Sequence, residues 1–96
     1  MTFEWDENKN IIKIRKHGID FKEACTVFYD NNAVLFDDPD HSIQESRFLI
    51  IGMSRTASVL TVCHCYRGTD DVIRIKSARE ATRQETDYYV QFGGDL

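Results

Sequence analysis

Asp71–Glu85, reading DVIRIKSAREATRQE, constrains the fold most, because a strand pattern there runs into a helix start with no linker between them. Alternation through Val72–Ala78 predicts Val72, Arg74, Lys76 and Ala78 on one face and Ile73, Ile75, Ser77 and Arg79 on the other, so one face is apolar at its centre and the other cationic. Thr82 is followed three residues later by Glu85. In that spacing hydroxyl and carboxylate each satisfy an otherwise unpaired backbone N–H, which predicts a helix from Arg83.

Upstream, Phe3-Glu4-Trp5 reads as a short strand, with Asp6 as N-cap of a helix whose first turn carries Glu7. Ile11, Ile12 and Arg15 give that helix a narrow stripe, and Lys13, Arg15, Lys16 and His17 crowd its last turn. Cations there complement the helix dipole, and they are also a patch that could touch phosphate. Gly18 fits the left-handed position that ends the helix. Asp20 with Glu23 forms a second capping pattern, Ile19 and Ala24 are placed as a hydrophobic staple, and Phe21, Ala24, Cys25 and Phe28 make a core-facing stripe.

The period then changes. Ala33–Phe36 reads as a strand ending in the turn Asp37-Asp38-Pro39-Asp40, Arg47–Ile51 as a strand broken at Gly52, and Val59–Tyr66 as a third, followed by a turn at Arg67–Asp71. Short polar links imply an antiparallel meander. The last helix runs to about Phe92, with Gly93-Gly94 ending it. The expected fold is α+β: a mainly antiparallel twisted sheet with two N-terminal helices and one C-terminal helix packed on one face, the other face open to solvent or substrate. Phe21, Phe28, Ile50, Val62, Ile73 and Ile75 are expected in the core.

Ninety-six residues allow one domain, 1–96, with a modest core. No apolar run approaches the roughly 18 residues needed to cross a bilayer, and the acidic N-terminus lacks a signal-peptide layout, so a cytoplasmic protein with no membrane partner is expected. Cys25, Cys63 and Cys65 form neither a disulfide framework nor a usual zinc spacing; no metal or cofactor is expected. A net charge of −4 argues against a general polyanion binder, so any RNA contact needs a local patch.

Metal-independent chemistry on RNA needs a base for the 2′-hydroxyl, an acid for the leaving oxygen and cations for the charge growing on phosphorus. Glu45, His64, Arg47, Arg74 and Arg79 are candidates, histidine for proton transfer and arginine as a bidentate phosphate clamp. Alternation puts His64 with Leu60, Val62 and Tyr66, where a histidine is more often a satisfied core residue than a catalyst.

Three segments resemble the BrnT family of type II toxins, in the family's order and over nearly the whole chain. RIKSAREATRQE is similar to its C-terminal signature, Phe3–Asp6 with Lys9–Asn10 and Lys16–Ala24 to its opening, and Asp37–His41 with Glu45–Ile51 to its central segment. The resemblance implies a RelE-like fold and an endoribonuclease toxin that arrests growth and is neutralised by a BrnA-like, DNA-binding antitoxin. It leaves a homodimer and a toxin–antitoxin heterotetramer both open. Matched residue by residue, it places Lys16, His17, Glu45, Arg47, His64, Arg74 and Arg79 where the family keeps polar or charged groups; catalytic roles are expected for His64, Arg79, Glu45 and Arg47, and RNA contacts for Arg74, Lys76, Arg67, Lys16 and His17. Two positions depart from the signature: Glu80 stands where a cation is usual and Lys76 where an aliphatic residue is usual. Glu80 would repel phosphate, which favours the alternative of a non-catalytic relative that binds the antitoxin as a co-repressor or serves as an interaction module. For Arg79 the alternative role is a pair with Glu80 or Glu85 that steadies the helix start.

Overall fold

The computed structural model describes residues 1–41, 45–68 and 71–93. The expected turn at Arg67–Asp71 falls partly outside them, as does Gly94. Five strands, β1 (Thr2–Glu4), β2 (Val34–Asp37), β3 (Phe48–Met53), β4 (Val59–Arg67) and β5 (Val72–Glu80), form one sheet in the order β1-β5-β4-β3-β2. The last four make the antiparallel meander. The N-terminal strand β1 adds parallel to β5, with Phe3 opposite Ile73. Three helices complete the α+β fold: α1 (Glu7–His17), α2 (Phe21–Thr26) and α3 (Arg83–Phe92).

Capping chemistry sets the helix ends. Asp6 accepts from the backbone N–H groups of Asn8 and Lys9, and Gly18 closes α1 at φ 72°, the left-handed conformation that glycine adopts without strain. The buried residue of α1 is Asn10, while Ile11 and Ile12 of the expected stripe stay exposed. Asn10 donates to Glu7 and Asp20 and accepts the Phe21 N–H at 2.9 Å, so a polar latch fixes how α1 meets α2. Asp20 caps α2 through the Lys22 N–H, but Glu23 turns away to Ser54 Oγ (2.7 Å) and Thr56, leaving the second half of that capping pattern unmade.

After Thr26 the chain tightens into a 3₁₀ turn, Val27–Tyr29. That rotation gives the inner position to Val27, with Cys25 and Phe28 only half-buried. Phe21, Ala24 and Val27 pack with Ile50, Leu60, Val62, Ile73, Ile75 and Ala78 into one core, and Phe28 lies at its margin. Gly52 does not break β3; the strand runs to Met53, and the backbone there passes so close to Val27 and Ala33 that a Cβ would sit 2.8 Å from Val27 Cγ1.

Two expectations are corrected, and both corrections shape the site. First, alternation in β5 is interrupted: Ser77 lies opposite Cys63 but Ile75 lies opposite His64, so Lys76 is the extra residue of a β-bulge. Ile73, Ile75 and Ala78 therefore all face the core, and Arg74, Lys76, Ser77 and Arg79 share the other face. Second, α3 does not join the other helices. It docks on the opposite face, where Glu85 reaches Thr61 and Arg79 and the Tyr88 ring stands 5.0 Å from Phe36. Phe36, Leu49 and Ile51 make that end of the second face apolar, and α3 covers it. No helix among the described residues is long and apolar enough to cross a membrane.

Candidate functional site

Beside α3, the second face carries a groove of about 410 Å³. Its walls come from α1 (Lys9, Ile12, Lys13), from β3 and the residues flanking β2 and β3 (Asp38, Arg47, Leu49), and from β4 and β5 (Cys63, Lys76, Ser77, Arg79). Five of these side chains are cationic and one is acidic, in a chain whose net charge is −4. The bulge creates this density, since unbroken alternation would have sent Lys76 and Arg79 to opposite faces.

Carboxylates bordering the groove hold three of the cations. Glu45 Oε1 lies 2.9 Å from Lys76 Nζ and 3.4 Å from Arg47 Nη2. The Lys76 hydrogen bond, with the charges of Lys76 and Arg47 behind it, lowers the Glu45 pKa below the ordinary carboxylate value. Arg79 meets Glu85 end-on, Nη1–Oε1 at 2.6 Å and Nη2–Oε2 at 3.0 Å. That pair brings Glu85 down to about 2 and raises Arg79. Of the two partners considered for Arg79, it is the Glu85 carboxylate that binds; Glu80 offers only its backbone carbonyl, at 3.3 Å. Lys9 and Lys13 make no ion pair among the described residues.

The remaining predicted residues lie elsewhere. Arg74 and Arg67 converge on Glu4, at 2.8 and 3.8 Å, forming a second cationic cluster further along β5 and β4. Lys16 and His17 are exposed at the end of α1 and do not line the groove. His64 is 0% exposed, on the core face, with Phe28, Phe48 and Tyr66 ring centroids 4.8, 5.9 and 5.4 Å away. Burial drives its pKa down to about 4, Nδ1 lies 3.4 Å from the Val62 carbonyl, and Nε2 has no hydrogen-bond partner among the described residues. That position corrects the catalytic role expected of His64: the ring is buried on the core face, among the apolar residues that alternation grouped it with, and is not among the groove residues. Cys63 borders the groove, but burial raises its pKa and keeps it a thiol, 3.8 Å from Asp38 Oδ2. Among the described residues no group of three His, Cys, Asp or Glu is placed to hold a metal.

Lys9 lines the groove without being singled out in the sequence for phosphate contact, and Lys13 is singled out there only as part of the cationic helix end. The signal was present: Lys9, Lys13 and Lys16 recur at i, i+4 and i+7, one side of a helix. The crowding of cations at the helix end, of which Lys13 is part, masks that periodicity.

Residues 5–85 match the family described as ribonuclease toxin, BrnT, of type II toxin-antitoxin system. No match is found among curated proteins. Among solved structures, the crystal structure of the Brucella abortus ribonuclease toxin, BrnT, superposes with a TM-score of 0.66 at 26% identity, covering 86% of this chain and 99% of that one. With the fold matched and the family's pattern spanning most of the sequence, the chain belongs to the BrnT family of ribonuclease toxins of type II toxin-antitoxin systems.

Proposed function

We propose that the protein is an endoribonuclease toxin that cleaves RNA without a metal ion, arrests growth from the cytoplasm, and is silenced by a BrnA-like, DNA-binding antitoxin. The observation that carries this is the gathering of Lys9, Lys13, Arg47, Lys76 and Arg79 around one groove of an acidic protein. Polyanion binding rests on such local neutralisation of phosphate. Lys9 and Lys13, which pair with no carboxylate among the described residues, meet the incoming backbone. Arg47, Lys76 and Arg79 hold the charge that grows on the phosphorane, the dominant demand of phosphoryl chemistry. Glu45, ionised and one contact from both Arg47 and Lys76, is the base for the 2′-hydroxyl proton. Arg74, Arg67, Lys16 and His17 extend the contact to flanking phosphates.

Purified protein incubated with total RNA in EDTA should produce fragments; intact RNA under those conditions refutes metal-independent cleavage. The lysines have their own signature. Lys9→Ala with Lys13→Ala should flatten the slope of log K for single-stranded RNA against log salt by about 1.4, roughly 0.7 for each lost phosphate contact. An unchanged slope places those lysines outside the interface.

A non-catalytic role, binding antitoxin alone, has one observation in its favour: Arg47, Lys76 and Arg79 each already face a carboxylate. Under that role RNA stays intact while the antitoxin still binds. In either case acidic antitoxin side chains are expected over Arg47, Arg74 or Arg79, which would occlude the face.

A further inference from the structure

Glu85 serves two structures at once. Its backbone N–H donates to Thr82 Oγ1 and its Oε1 accepts the Thr82 N–H at 2.9 Å, which starts α3. The same carboxylate accepts from Thr61 Oγ1 at 2.9 Å and takes both terminal nitrogens of Arg79. Only 21% of the Glu85 side chain is exposed, against 42% for Arg79, so the carboxylate is the fixed member of the pair. A helix-capping turn needs one acceptor; four donors on one carboxylate exceed that need.

The guanidinium geometry shows what the surplus achieves. Arginine carries five N–H groups in a planar fork. Two end-on hydrogens go to Glu85, and the outer hydrogen of Nη1 points to the Glu80 carbonyl. The Nε–H and the outer Nη2–H, parallel on the remaining edge, make no hydrogen bond among the described residues. They are a two-donor edge of the kind that matches phosphate oxygens.

We propose that Glu85 is a positioning residue: by gripping the end of the Arg79 guanidinium from the cap of α3, it presents the Nε–Nη2 edge, already oriented, to a phosphate in the groove. This rests on the ribonuclease function proposed above. A side chain as long as arginine otherwise loses rotamer entropy on binding, and a preset fork avoids that cost at the moment of reaction. Thr61, near the start of β4, is the second anchor, so sheet and helix together set the angle of the fork.

Glu85→Gln tests it, because glutamine retains the capping-box function while presenting an N–H to Arg79 where the carboxylate oxygen was. Single-turnover cleavage should fall by on the order of 10–100-fold with KM little changed, and the loss should vanish in an Arg79→Ala background. Asp20→Ala provides the contrast: it removes the side-chain cap of α2, away from Arg79, lowers Tm by a few degrees, and leaves the cleavage rate of the folded protein intact. Should Glu85→Gln fail to fold, Thr61→Val removes one anchor and is expected to lower the rate severalfold by the same route. A folded Glu85→Gln protein that cleaves as fast as the parent, or faster, overturns the positioning role, as does a rate loss that persists without Arg79. Absence of cleavage by the unmodified protein is a different result, one that overturns the ribonuclease function itself.

Discussion

Between pH 6.5 and pH 4 the enclosure of His64 is expected to cost the protein about 3 kcal/mol of stability, and His64→Leu is expected to abolish that part of the acid loss. The folded pKa of His64 is depressed to about 4 from 6.5 because the ring is fully enclosed among Phe28, Phe48 and Tyr66. Above pH 6.5 the imidazole is neutral in both states. As pH falls below that, the unfolded chain takes up the proton and the folded chain does not, so unfolding is favoured progressively until about pH 4, where the folded ring also protonates. Every tenfold difference in proton affinity between the two states corresponds to about 1.4 kcal/mol, which gives the total. Leucine is close in volume, brings no titration, and removes the unpartnered Nε2, so stability at pH 7 should change by less than about 1.5 kcal/mol.

Urea midpoints measured at half-unit pH intervals check this. A parent protein flat across the window, or a variant that keeps the slope, refutes it. The lowered carboxylates add to the loss only at the acid end of the window: the Glu85 contribution, with its pKa lowered from 4.5 to about 2, is complete well above 4.5 and begins to be lost as pH falls through it, so the His64 slope is read between pH 6.5 and about 5. His64→Leu should also cleave RNA at the parent rate at pH 7, the expected behaviour of a residue behind the sheet.

How much of this is legible in the sequence depends on whether local chemistry or packing decides the outcome. Asp6, Gly18 and the Thr82–Glu85 pair set their helix ends as predicted, because capping involves a few adjacent residues and little else. The strands β3, β4 and β5 and most of the core follow from apolar runs. The β5 bulge does not, since period-2 alternation carries no mark of an inserted residue; Ile75 and Ala78 are three apart, and only their shared burial shows where the count slips. Glu23 has the spacing of a cap but is taken by Ser54 and Thr56, more than thirty residues away in sequence, a competition no local pattern reveals. The site is legible in its chemistry and not in its assembly. Arg47, Lys76 and Arg79 do line one groove, while His64, the side chain best suited to proton transfer near neutral pH, lies behind the sheet, and Lys9 and Lys13, which no catalytic pattern marks, face in from α1. The placement of α3 is hidden for a related reason: Phe36, Leu49 and Ile51, which need covering on the second face, lie in unbroken apolar runs of two strands, where both faces read alike.

Arg79→Ala should cut RNA cleavage by on the order of 10²–10³-fold, the usual loss when one preorganised donor to a developing oxyanion is deleted. Its effect on stability should be small, with Tm within a few degrees of the parent. The Arg79 side chain is 42% exposed, and half-exposed ion pairs contribute little net stability; Glu85, once relieved of its partner, still accepts from Thr61 and Thr82. Arg79→Lys should recover only part of the rate, because one ammonium cannot hold Glu85 end-on and offer a two-donor edge to phosphate at the same time. Cleavage and melting measured on the same two variants separate the roles of this residue. If Arg79→Ala is destabilised yet fully active, the arginine steadies the start of α3 and nothing more, and the phosphate clamp must then be Arg47 with Lys76, the two cations that share Glu45 on the far wall of the groove.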